Sequence, residues 1–149
     1  MIDLRPARRT VLVWHDRGQS PDDARRDVDT LDADVIAARW DPAASDRGRR
    51  DLLTSVRDAR AILTSARADP DDLDLIGFGV GGVAAASLAS HAKRLGIAFG
   101  ATVCVDPRWN EPDPISGNLL SGQDVPDGVE LVEDRDDLAA VLATRWRPR

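Results

Sequence analysis

The sequence predicts an α/β fold of three layers, helices on both faces of a five-stranded parallel sheet, and three observations carry that expectation. Five short apolar runs between residues 10 and 132 are set apart by helical patterns and turn residues, the signature of strand-helix units feeding a parallel sheet. One of these runs, at Leu73 to Ile76, leads straight into a glycine-rich turn and a long alanine-rich helix. The chain has 149 residues, the size of a single domain (1–149) that buries roughly 70% of its unfolded surface.

The elements follow in order. Thr10 to Trp14 (TVLVW) reads as a buried strand by its branched residues. After His15-Asp16-Arg17-Gly18, Ser20 is placed to cap a helix with Pro21 at its first position, Asp22 and Asp23 in its first turn, and Ala24, Val28 and Leu31 on one face. Asp34 to Trp40 is a shorter, less apolar strand suited to a sheet edge, ended by Asp41-Pro42. From about Arg49 to Arg67, Leu52, Val56, Ala59, Leu63 and Ala66 recur at helical spacing, and Asp69-Pro70 stops the helix. The third strand and the helix up to Gly96 follow, then a fourth strand from Ala101 to Val105. Residues 107–127 are rich in Pro, Gly, Asn and Asp and are expected to be irregular. Val129 to Val132 gives a fifth strand, and Asp136 to Arg145 a last helix with Leu138, Val141 and Leu142 inward. Small residues at Gly81, Gly82 and Ala84 to Ala86 let the third helix pack closely, which puts the third strand at the centre of the sheet.

The turn Gly77-Phe78-Gly79-Val80-Gly81-Gly82 fits two chemistries. In the nucleophile elbow G-x-S-x-G, small residues flank a nucleophile held above the sheet edge; here Gly77 and Gly81 flank Gly79. In the dinucleotide fingerprint G-x-G-x-x-G, the glycines are Gly77, Gly79 and Gly82, with Asp106 at the end of the next strand as the acid. Asp106 is 24 residues past Gly82, longer than the usual spacing of about 20. A bare anion site at the helix N-terminus fits either reading.

Composition bounds the partners. A net charge of −6 disfavours nucleic acid and anionic membranes. The acids are mostly aspartate and the bases arginine, with Lys93 the lone lysine, as coding bias in a GC-rich genome would give. The single cysteine, Cys104, lies in an apolar strand and is expected to be buried and inert, so no disulfide or cysteine metal site arises within one chain. The first ten residues hold no hydrophobic region of signal-peptide length, and the expected location is cytoplasmic. No cofactor and no metal is expected.

The segment Val-Leu-Val-Trp-His15-x-x-Gly18 and the turn Leu-Ile-Gly77-Phe-x-Val-Gly81-Gly82 together resemble the α/β-hydrolases, in particular small bacterial members related to dienelactone hydrolase. The resemblance covers roughly residues 10–107. It implies a minimal, truncated hydrolase-like sheet in the order 2-1-3-4-5, with His15, Asp16 and Gly18 in the segment that shapes the oxyanion pocket and Gly77 to Gly82 as the elbow. The departures from the family pattern are chemical. Gly79 stands where the family has serine or cysteine, and no histidine follows His91. His91 lies about 18 Å along the helix from Gly79 at 1.5 Å per residue, and shares a face with Ala84, Leu88 and Leu95, as a boundary histidine would. Asp106 and Asp134 are relic acids at most, equally readable as an Asp-Pro turn and a helix cap, and an orienting acid without its histidine has nothing to orient. His15 is the one histidine at that sheet edge that could stand in as a general base.

No catalytic residue is assigned on these grounds. The expected function is binding of a protein partner or small ligand at the C-terminal sheet edge by a chain that has lost catalysis, a homodimer being one form of partner. The candidate lining is Trp14, His15, Asp16, Gly18, Trp40, Gly77, Phe78, Gly79, Val80, Gly82 and Trp109, because the three tryptophans lie at or just past strand ends; the same tryptophans would equally serve to cover a bare edge. The alternatives are an active esterase-like hydrolase with a displaced or partner-completed site, with Ser20, Ser45, Ser87 and Ser116 as the available hydroxyls, and phosphate or dinucleotide binding at the glycine turn.

Overall fold

The structure is a computed structural model and describes residues 9–120 and 125–145. Its centre is one sheet of five parallel strands in the order β2-β1-β3-β4-β5, made by β1 (Arg9–Trp14), β2 (Ala33–Ala37), β3 (Asp74–Phe78), β4 (Thr102–Val105) and β5 (Val129–Val132). The helices are α1 (Pro21–Asp27), α2 (Ser45–Ser65), α3 (Val80–Leu95) and α4 (Leu138–Arg145). Among the described residues, no helix is long and apolar enough to cross a membrane.

Alternation along the strands divides the core into two layers. Leu12, Trp14, Leu75 and Cys104 face α2 and α3, where they meet Leu52, Val56, Ala59, Ala84, Ala85 and Leu88. Val11, Val13, Ile76, Phe78, Val103 and Val105 face α1 and α4, against Ala24, Val28, Leu138 and Leu142. Strands buried on both faces must be apolar at consecutive positions, and β3 is buried at all five of its residues.

Local signals set the helix ends. Ser20 accepts from the Asp23 amide while Asp23 accepts from the Ser20 amide, a reciprocal capping box with Pro21 in the first turn. Gly96 ends α3 in the left-handed region at φ +72°. Several boundaries differ from expectation; α1 ends at Asp27, so Val28 is its C-cap and Leu31 lies in the turn beyond it. α2 begins a turn earlier, at Ser45, and β2 ends at Ala37, so that Trp40 lies in the connection beyond it. The last helix is preceded by a single 3-10 turn at Arg135–Asp137, which Asp134 caps through the Asp136 amide.

The chain runs from β1 outward to β2, then returns over the other face of the sheet to β3, which pairs with the opposite side of β1. The crevice where an open α/β sheet reverses direction, at the C-terminal ends of its strands, is where such sheets bind ligands. In this chain it lies between the ends of β1 and β3, with Trp14 paired to Gly77.

Candidate functional site

The link from β3 to α3 has the geometry of a nucleophile elbow. Gly79 has φ +58° and ψ −118°, a region costing a residue with a side chain of order 1–3 kcal/mol. The turn is tight on both flanks: a Cβ on Gly77 would strike the Gly81 carbonyl, and one on Gly81 would come within 2.6 Å of the Trp14 carbonyl oxygen. Glycine at 77 and 81 therefore reflects close approach of α3 to β3 and β1. Residues 73–88 are all buried, the elbow included.

A carboxylate fills the space above the elbow. A Cβ added to Gly79 would coincide with the Asp16 carboxyl group, which reaches across from the end of β1. One oxygen, Oδ1, accepts from the Val80 amide at 3.0 Å and the Arg17 amide at 2.7 Å. Arg108, just past β4, donates Nε and Nη2 to Oδ2 at 3.0 and 2.9 Å. In serine hydrolases the amide after the nucleophile and one from the loop at the neighbouring strand end form the oxyanion hole. Here the Val80 amide follows the elbow position and the Arg17 amide lies at the neighbouring strand end, and both donate to Asp16 Oδ1. The Asp16 side chain is 8% exposed and the Arg108 side chain 47%.

The electrostatics agree with this packing. Burial pushes the Asp16 carboxyl up, but the Arg108 guanidinium and the Val80 and Arg17 amides outweigh it and hold the group below its ordinary value. Glu111 lies between two cations, 3.1 Å from Arg17 and 3.8 Å from Arg108. The Arg108 amide donates to the Gly79 carbonyl at 3.3 Å, so the segment after β4 closes directly over the elbow. That segment, irregular as expected, is organised by fully buried Asp113, which accepts from the Ile115 and Ser116 amides and the Ser116 hydroxyl.

The structure brings Asp16, Gly77, Gly79, Val80 and Gly82 together at the switch point, with Gly18 in the exposed turn after β1 at φ +78°. It moves several candidates elsewhere. Trp14 is wholly buried and donates its indole N–H to Ser55, and Trp40 is 6% exposed and packed beside His15; neither lines an open edge, because α2 covers the face on which they lie. Phe78 points into the opposite layer under the Arg135 guanidinium. Trp109, packed on the core rim, remains half-buried. His15 is no free base: its two ring nitrogens face the Asp16 and Trp40 carbonyl oxygens at 2.8 and 3.1 Å. Asp134 is committed to its cap, while Asp106, exposed and at φ +46°, ends β4 with its amide on the Val132 carbonyl.

The available hydroxyls are no better placed. Ser20 caps α1, Ser116 donates to Asp113, and Ser87 is buried inside α3 with no partner for its hydroxyl among the described residues; Ser45 has no described side chain. His91 sits at the boundary with Nδ1 on the Ser87 carbonyl. Among the described residues no group of three or more metal-ligating side chains converges. Sequence reasoning missed Arg108 altogether. Its one signal was position, three residues past the end of the strand beside the elbow.

No protein-family model matches the chain, and no curated protein matches it either. Solved structures do. An α/β-hydrolase from Vibrio vulnificus superposes with a TM-score of 0.58 at 18% identity, over 92% of this chain and 63% of the other. An α/β-hydrolase enzyme from a Medee basin deep-sea metagenome library gives 0.57 at 15%, over 95% and 65%. A Pyrobaculum calidifontis esterase gives 0.55 at 21%, over 69% and 37%. The chain thus spans between about a third and two thirds of the length of these proteins, and its fold is α/β-hydrolase-like.

Proposed function

We propose that this chain is a non-catalytic protein of α/β-hydrolase-like fold that works by binding a small ligand or a protein partner at the C-terminal edge of its sheet. One observation carries the reading: the Asp16 carboxylate fills both the space of the missing nucleophile and the two-amide pocket that would stabilise an oxyanion. Acyl transfer needs a nucleophile, a base beside it and an empty pocket for developing charge. Gly79 supplies no nucleophile, His15 is turned to main-chain carbonyls, and the two amides are already occupied by a carboxylate.

Binding at the edge is supported by what stays accessible there. Arg17 and Arg108 are each about half exposed beside Glu111, with Trp109 next in the chain, around a switch-point crevice. Phosphate or dinucleotide binding at the glycine turn is disfavoured by the same hydrogen bond, since the Val80 amide is already taken by a carboxylate.

Two measurements test this. Incubation with a fluorophosphonate probe and with p-nitrophenyl acetate should give no covalent adduct and only background hydrolysis; labelling or turnover would overturn the non-catalytic half. Native mass spectrometry of protein recovered gently from its host should show a retained ligand or partner, and a bare monomer mass would overturn the binding half.

A further inference from the structure

The sheet has an open side edge at β2, its outermost strand, which pairs with β1 alone. The Ala38 amide donates to the Val13 carbonyl, so alternation along the strand turns the main-chain groups of Val35 and Ala37 outward. Arg25 covers the Val35 carbonyl at 2.8 Å, which leaves Ala37 to pair along this edge. Beside it an open groove of about 270 Å³ runs between β2 and α2, with Ile36 and Arg39 on one wall and Asp51, Asp58 and Ile62 on the other. Ile36 is half-buried and Ile62 is 54% exposed, so the groove has an apolar floor that the fold leaves uncovered. Its charges are uncovered too. Arg39 is exposed, and neither it nor Asp51 has an ion pair among the described residues, while Asp58 meets the adjacent Arg57 at 3.5 Å.

We infer that this edge is the seam of a two-fold dimer, in which β2 pairs antiparallel with β2 of a second copy through Ala37. A two-fold contact sets one patch against itself, so the patch must carry both halves of every interaction. A groove with a cation on one wall and carboxylates on the other meets that condition, whereas a partner of a single charge sign would leave one wall unpaired. The geometry assigns the pairs. α2 starts beyond the C-terminal end of β2 and returns towards the start of β3, so Asp51 lies nearer the end that carries Arg39 and Asp58 farther from it. An axis normal to the sheet reverses the strand, which brings Arg39 of each copy to the Asp58 end of the other's groove. The same axis keeps both α2 helices on one face, where Ile36 and Ile62 of the two copies close a single apolar strip. Pairing would also remove an edge that otherwise offers open main-chain groups to any strand. The seam runs along the side of the sheet, apart from the switch point, and stands independently of the function proposed above.

The test is sedimentation velocity of the full chain over about 1–200 µM at roughly 0.15 M salt, where the sedimenting mass should double as concentration rises. Ile62→Asp, Arg39→Asp and Asp58→Arg should each weaken self-association by roughly tenfold or more. All three side chains are exposed, so the fold should be kept, and circular dichroism checks that it is. The charge reversals carry the decisive result. Neither should dimerise alone, but an equimolar mixture of Arg39→Asp and Asp58→Arg should, because each offers the charge that the other lacks. A monomer throughout the range overturns the proposal. So does a dimer that survives Ile62→Asp, or reversals that fail to complement, since the contact is then built on another surface. A monomer found with a different protein on this edge also overturns it and gives the groove to that partner. No arm depends on ester turnover or on a ligand at the switch point, so the outcome is separable from the fate of the proposed function.

Discussion

The Asp16 carboxyl group stands in the volume into which a side chain on Gly79 would project. The two residues close neighbouring strands of one parallel sheet, and the Asp16 oxygen bonded to the Val80 amide bridges them across the switch point at 3.0 Å. Glycine at the elbow and aspartate in the loop are thus two halves of one packing arrangement: the absence of a side chain at 79 is what lets a carboxylate enter.

Gly79→Ser should therefore destabilise the protein without producing an esterase. Backbone strain at φ +58° contributes about 1–3 kcal/mol, and the serine Cβ must also displace Asp16. Urea unfolding should show that loss. Combining it with Asp16→Gly should recover part of it, with a coupling energy of about 0.5–3 kcal/mol in a double-mutant cycle. Additive effects would mean that the two side chains do not share the space.

Arg108→Ala leaves the Asp16 carboxylate buried with only its amide donors. Since the arginine is 47% exposed, solvent screens the pair and the expected loss is about 1–2 kcal/mol, less than the 3–5 kcal/mol for breaking a fully buried one. Denaturant midpoints measured at neutral pH check this.

The same pair sets a pH response. Burial raises the Asp16 carboxyl, and Arg108 with the two amides more than reverses this, so its folded value lies below the unfolded value of about 3.9. Its contribution is complete above about pH 4 and is lost as the pH falls through the folded value. Between pH 5 and pH 2, stability should fall less steeply in Asp16→Asn than in the unaltered protein.

At the other end of the sheet, Arg9 holds fully buried Asp74 through Nε and Nη2 at 2.6 and 2.7 Å. Arg9→Met should cost about 1–3 kcal/mol by leaving that carboxylate short of donors. Arg9 and Asp16 are seven residues apart along β1, roughly 20 Å at about 3.3 Å per residue. The loss should therefore add to that of Arg108→Ala within about 0.5 kcal/mol.

Cys104 is buried in β4, and burial pushes its thiol up to about 12. A disulfide reagent at pH 8 should leave it unmodified in the folded protein and react at once in denaturant. Rapid labelling under native conditions would show that β4 opens.

What the sequence determined by itself is the frame. Apolar runs such as Val11 to Trp14 and the small residues from Gly77 to Ala86 carry their own local instructions, and these specify strands, a tight turn and a closely packed helix wherever they stand in a chain. The capping box at Ser20 and the left-handed Gly96 are legible for the same reason, being set by neighbours a few residues away. The site was legible only as a vacancy at Gly79. What fills it depended on residues 16, 79 and 108, which are 63 and 29 positions apart and meet only because β1, β3 and β4 are adjacent in the sheet. The tryptophans show the converse: Trp14 and Trp40 fall at strand ends in the sequence, but whether a strand end is open or covered is decided by α2 crossing over it. Pairing across a sheet and burial beneath a helix are long-range relations, and only the tertiary structure could decide that an aspartate two residues past a strand would become the occupant of the elbow.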